Sequence, residues 1–202
     1  MYKAVIFDLN GVFLESQLLS QRFEDEFSIK NTDFLPVLKE VMSVVRQPNA
    51  PQAFSLWEPH LKKWGLNLSE EQFYHFWFSG EKVAPELIEY AKKLHESGIK
   101  VFLLSNNFRE RTDYYRQNFP EIFQNVDKAY FSWETGYVKP SPEALKTLLV
   151  ENHLSPQDCV YFDDSEANIS ISNKLGVRGE KWVNLEQAKI SIEGKTSPKE
   201  TV

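Results

Sequence analysis

The sequence predicts an α/β fold: a doubly wound parallel sheet with a small helical domain inserted after its first strand. Three observations predict it. Short runs that are apolar on both faces each end at a polar or acidic residue, as buried central strands of a parallel sheet do. Amphipathic helical stripes alternate with those runs, the pattern of right-handed βαβ units. Between residues 15 and about 82 the alternation stops and the pattern becomes helical throughout.

Taken in order, Ala4-Val5-Ile6-Phe7 is the first strand and ends at Asp8. Helices are expected at about 16–30, 32–47, 51–65 and 69–79, with Pro48 and Pro51 as punctuation. Ser69-Glu70-Glu71-Gln72 opens the last of them with a capping-box pattern. Pro85 to Ser97 carries Leu87, Ile88, Ala91 and Leu94 on one stripe, with Pro85 in the first turn and Gly98 as the stop. Val101 to Leu104 is a second strand ending at Ser105, and Ala129-Tyr130-Phe131 a further one. A helix from Pro142 to Glu151 precedes the strand Val160-Tyr161-Phe162, which ends at Asp163-Asp164. The helix Ser165–Leu175 stops before Gly176, Lys181-Trp182-Val183 forms a weaker strand, and residues 189–202 read as a frayed tail. The core domain is thus 1–14 with 83–202, and the inserted helical domain 15–82.

Of the 202 residues 42% are hydrophobic and 26% charged, as in an ordinary globular protein. The net charge of −6 provides no bulk attraction for nucleic acid or an anionic membrane, so neither is an expected partner. One cysteine, Cys159, rules out an intrachain disulfide, and its apolar surroundings suit a buried strand. The apolar run after Tyr2-Lys3 is too short for a signal peptide or a membrane span, which makes the cytoplasm the expected location.

Asp8, Ser105 and Asp163-Asp164 all stand just past the C-terminal ends of expected parallel strands, where open α/β sheets place their ligand sites. Carboxylates converging from adjacent strands repel each other unless a cation lies between them. A hard, oxygen-ligated ion such as Mg²⁺, which retains waters and binds phosphate, suits them. Lys139 lies between the second and third of these positions in the chain. The prolines that follow, Pro140 and Pro142, mark it as a fixed loop residue opening a helix.

These segments resemble the four motifs of the haloacid dehalogenase-like superfamily. Phe7-Asp8-Leu9-Asn10-Gly11-Val12 is similar to the first, Leu104-Ser105-Asn106-Asn107 to the second, Lys139-Pro140-Ser141-Pro142 to the third and Phe162-Asp163-Asp164-Ser165 to the fourth, all in the family's order. The insert is similar to the family's small helical cap, and bacterial sugar-phosphate phosphatases are the nearest in appearance. The resemblance implies a Rossmann-like core and Asp8 as a nucleophile that forms an aspartyl phosphate. It implies Mg²⁺ held by Asp8, the Asn10 carbonyl and Asp164, with Asp163 beside them. Ser105 and the Asn106 backbone N–H would hold phosphoryl oxygens, and Lys139 would face the transferred group. Asn168 resembles a position where many relatives carry another acid.

Asn10 departs from the pattern. Family phosphatases have an aspartate there that protonates the leaving oxygen and activates water, and an amide does neither. Several readings follow: a leaving group that needs little protonation, such as an acyl or aryl phosphate; an acid borrowed from the insert, His60 or His75; slow turnover or accumulation of the aspartyl phosphate; binding without catalysis; or an introduced substitution of a natural aspartate. Family dehalogenases also lack the second aspartate, but they need no metal and lack the acid pair of the fourth motif. The sequence does not orient Arg22, Arg46, Lys62, Lys63, Arg109 or Arg111, all possible anion contacts.

Overall fold

The computed structural model describes residues 2–194. In chain order its elements are β1 Ala4–Phe7, β2 Leu14–Ser16, α1 Leu19–Phe27, α2 Asn31–Val45, α3 Ala53–Lys63, α4 Glu70–Phe78, β3 Glu81–Val83, α5 Pro85–Glu96 and β4 Lys100–Ser105. There follow α6 Arg109–Asn118, α7 Glu121–Gln124, β5 Lys128–Phe131, α8 Ser132–Thr135, α9 Pro142–Glu151, β6 Cys159–Asp163, α10 Glu166–Lys174, β7 Arg178–Lys181 and α11 Leu185–Glu193.

Five strands form one parallel sheet in the order β5-β4-β1-β6-β7. Both faces of β1 are buried, which is why its sequence does not alternate. Val5 and Phe7 join Leu87, Leu94, Tyr115 and Ile192 in one apolar layer. Ala4 and Ile6 face Leu145, Leu148 and Ile169 in the other. Chain order reverses at β1, so the C-terminal ends of β4, β1 and β6 open onto one crevice.

Helices α1 to α4 share a third cluster built largely of rings: Phe23, Phe34, Trp57, Phe73 and Trp77 are all buried in it. The capping box at Ser69 and Gln72 is present at the start of α4.

Three details differ from the sequence reading. First, β2 and β3 pair antiparallel at the two ends of the insert, Leu14 opposite Val83 and Ser16 opposite Glu81; strands of three residues are too short to show a period. Second, the last strand is Arg178–Lys181, not Lys181–Val183. Gly179 lets it lie against α10, because a Cβ there would collide with Ser172 Oγ. Trp182 lies just beyond the strand, with its ring edge-on to Phe7 and Phe162. Third, residues 189–193 are not frayed but complete α11. Its cap is the Asn184 side chain, which accepts from the Gln187 N–H, and Ala188 and Ile192 anchor one face in the core. The rest of the expected tail, 195–202, lies outside the described residues. Among the described residues no helix is long and apolar enough to cross a membrane.

Candidate active site

Asp8 follows β1, and its N–H still bonds the Phe162 carbonyl at 2.9 Å, so the sheet itself fixes the residue. The chain then folds back, with Phe13 and Leu14 N–H both donating to the Leu9 carbonyl. Gly11 makes this possible. Its φ is 84°, and a Cβ would stand 2.6 Å from Asp164 Oδ2.

Lys139 is the electrostatic centre. Its Nζ is 3.0 Å from Asp8 Oδ1 and 2.7 Å from Asp163 Oδ2, and all three side chains are almost fully buried. Asn106 holds the lysine loop by its backbone, donating to the Lys139 carbonyl at 2.8 Å and accepting from its N–H at 2.7 Å. Both Asp163 oxygens are occupied: besides Lys139, they accept from the Tyr161 hydroxyl, the Ser165 N–H and the Asn168 amide.

Burial is the largest influence on both acids that Lys139 touches. At Asp8 it prevails over the lysine, and with repulsion from Asp163 it lifts the carboxyl to about 6. At Asp163 it is outweighed by Lys139 and the hydrogen bonds, so that carboxyl falls below its ordinary value. Asp164 is raised by burial and by Asp163. Oxygens of Asp8, Asp163 and Asp164 all lie within 4.8 Å of one another. Three carboxylates against one lysine leave an excess of negative charge, so the donor set fits a divalent, oxygen-ligated cation.

Asn10 is fully engaged as an amide. Its Oδ1 accepts from Asn107 Nδ2 at 3.0 Å and its Nδ2 donates to the Tyr115 hydroxyl at 2.8 Å. Tyr115 also lies beside buried Glu81, which Arg111 holds from Nε at 2.8 Å. Nothing in the local pattern of Glu81 or Tyr115 marks either one, because the contact spans the insert. Asn168 is better foreshadowed, since its place one helical turn after Asp164 points it back at the acids.

A cavity of about 270 Å³ unites the site. Asp8, Asn10, Ser105, Asn106, Lys139 and Asp164 line it, while Asp163 lies behind. Of the cations that the sequence could not orient, Arg46 and Arg111 line the cavity. Arg22 instead bonds the Trp77 carbonyl and lies over the Phe76 ring, and Arg109 lies over Trp133. His60 and His75 do not line the cavity.

A family model for haloacid dehalogenase-like hydrolases matches residues 2–176. The chain belongs to the haloacid dehalogenase-like hydrolases. A haloacid dehalogenase (HAD) family enzyme from Bacteroides thetaiotaomicron has the same fold, with a TM-score of 0.81, 21% identity, and 95% of this chain and 98% of that one covered. The complex of that enzyme with magnesium and inorganic phosphate matches at 0.73 and 19% identity, over 90% and 94% of the two chains. Among curated proteins, the D-ribitol-5-phosphate phosphatase of B. thetaiotaomicron is 36% identical over 50 residues, 25% of this chain and 24% of its own. The chain therefore spans only about a quarter of the curated relatives it matches.

In this haloacid dehalogenase-like hydrolase, Lys139 holds two buried carboxylates together. Lys139→Met is expected to destabilise the fold by about 3–5 kcal/mol, because it leaves both carboxylates without their cation. Urea unfolding in chelator measures this; an unchanged midpoint would mean that the acids are kept neutral by other means.

Proposed function

We propose that this hydrolase removes phosphate from a small phosphate monoester through an aspartyl-phosphate intermediate, with residues 15–82 as the cap over residues 1–14 and 83–202. The observation that carries this reading is one cavity lined by two carboxylates, Asp8 and Asp164, and by the buried Lys139, which is bonded to Asp8. Asp8 attacks phosphorus, and Lys139 lowers the cost of bringing an anion to an anion. Ser105 and the Asn106 N–H take phosphoryl oxygens. Asp8, Asp164 and the Asn10 carbonyl would hold Mg²⁺, with Asp163 beside them orienting Lys139. When bound, Mg²⁺ neutralises phosphate charge. The sugar-phosphate expectation rests on the D-ribitol-5-phosphate phosphatase match, which covers 25% of this chain and leaves the leaving group open, and the dehalogenase reading is disfavoured by the Asp163-Asp164 pair.

The test is phosphate release from sugar, acyl and aryl phosphates with and without Mg²⁺. Metal-dependent release supports the proposal. No release from any ester would favour the second reading, a binding protein, which Asn10 motivates.

The Asp8 shift has a sign that can be measured. Its carboxyl must be ionised to ligate Mg²⁺, and burial raises the proton's hold to about pH 6. Mg²⁺ affinity is therefore expected to be level above that pH and to fall by about tenfold per unit below it. Calorimetric titration at pH 5, 6 and 7.5 checks this; equal affinity at all three would exclude Asp8 as a titrating ligand.

A further inference from the structure

A second cavity, of about 400 Å³, adjoins the site and shares Arg46 and Arg111 with it. Its lining differs in kind. Leu35, Leu38, Met42 and Arg46 form one stripe along α2 and its C-terminal cap, with Leu19 and Trp77 beside them. At 1.5 Å per residue the stripe runs about 16 Å from Leu35 to Arg46. Its outer end is open, since Leu35 is 48% exposed and neighbouring Leu18 74%. Ser16, Gln17, Lys39 and Glu81 line the cavity as well, so the apolar stripe is one part of a mixed wall that leads to the catalytic cavity. At its inner end Arg46 Nε is buried without a hydrogen-bond partner among the described residues. The Arg111 guanidinium, by contrast, is committed to Glu81.

We propose that this channel seats the leaving group and that the substrate is an aryl phosphate monoester. The inference rests on the phosphatase reading for the bond that breaks. Two independent observations converge on it. The apolar stripe from Leu35 to Met42, with Leu19 and Trp77, offers a ring a surface that a polyol would not use, and position 10 is an amide with no proton to give. A phenolic oxygen has a pKa of about 10 and leaves without one. Asp8 Oδ forms the bond to phosphorus, and the P–O(aryl) bond breaks with its electron pair going to phenoxide, which Arg46 faces. Water then attacks phosphorus, the P–O(Asp8) bond breaks and its pair returns to the carboxylate. The water's protons divide between phosphate and phenoxide, which leaves as the phenol.

The test has a binding arm and a turnover arm. Calorimetry with Mg²⁺ compares 2-naphthylphosphonate, which cannot be hydrolysed, with methylphosphonate. The naphthyl compound is expected to bind at least tenfold tighter, and Leu38→Glu to abolish that advantage. Leu35→Glu, at the exposed rim, serves if Leu38→Glu does not fold. In turnover, 2-naphthyl phosphate should exceed ribitol 5-phosphate in kcat/KM, and phenethyl phosphate, matched to ribitol in its alkoxide leaving group, should do so as well. Both channel variants should lose more kcat/KM for 2-naphthyl phosphate than for acetyl phosphate, which is too small to reach the channel. Equal binding of the two phosphonates, or a preference for the polyol ester over phenethyl phosphate, overturns the proposal. Naphthyl binding with no hydrolysis of any ester would uphold the channel's occupant and overturn the phosphatase reading instead.

Discussion

Asp8→Asn is expected to lose at least about 10⁴-fold in phosphate release while folding at least as well as the wild type. The two halves of this result have one cause. Asp8 is a carboxylate placed where burial penalises its charge, and its carboxyl rises to about 6 against an ordinary 3.8. A folded-state pKa above the unfolded one means that ionisation costs the fold stability as pH rises between those values, and at pH 7 the whole cost is borne. The amide has the same shape and no charge. Lys139 then faces one buried carboxylate, Asp163, in place of two. In chelator at pH 7 the variant should gain stability on the order of 1 kcal/mol, a trade of stability against function often found at active sites. Thermal melts and phosphate assays on the same preparation check both halves. Retained turnover would place the nucleophile elsewhere, and a lower melting temperature would show that the Asp8–Lys139 attraction outweighs burial.

The parts of the molecule legible in the sequence were those fixed by local chemistry. Ala4 to Phe7 reads as a central strand because both of its faces are buried, and the acid that ends it must lie in the crevice. Lys139 was legible for a related reason, since the prolines after it fix its loop. Short elements and contacts between distant segments were not. A three-residue strand such as Glu81–Val83 has no period to detect, and Glu81 reaches Tyr115 and Arg111 only after the insert has folded back over α6. Arg46 was visible as a cation, but its direction depends on how α2 lies against the core. Trp182-Val183 resembles a strand end, but just past the sheet edge Trp182 packs its ring on Phe7 and Phe162 while Val183 is exposed. Asn106 shows a further limit: the motif marks the residue, but its side chain grips the Lys139 backbone, leaving only its N–H for a ligand.

Asn10→Asp is expected to raise kcat/KM for alkyl phosphates by about 10²–10⁴-fold and to change aryl phosphates little. The direction follows from counting protons along one chain of hydrogen bonds. At present Asn107 donates to Asn10, Asn10 donates to Tyr115, and the Tyr115 hydroxyl lies beside Glu81, which can take its single proton. An aspartate presents an oxygen to Tyr115 where the amide presented an N–H. The tyrosine then has two acceptors and one proton, and its hydroxyl holds that proton firmly, because burial, with Glu81 opposing Arg111, raises it well above the ordinary value. The shortage is relieved if the new carboxyl carries a proton of its own, the state that a general acid needs before an alkoxide leaves. Phenoxide needs no such help, so the gain should divide by leaving group. Paired assays of phenethyl and 2-naphthyl phosphate in both proteins measure that division. A rise in kcat shared by both esters with kcat/KM unchanged would put the new acid on the common second step, where water attacks the aspartyl phosphate. No rise in either would mean that the Tyr115–Glu81 pair keeps position 10 turned from the leaving oxygen, with the amide there as a structural member of the network and not the remnant of an acid.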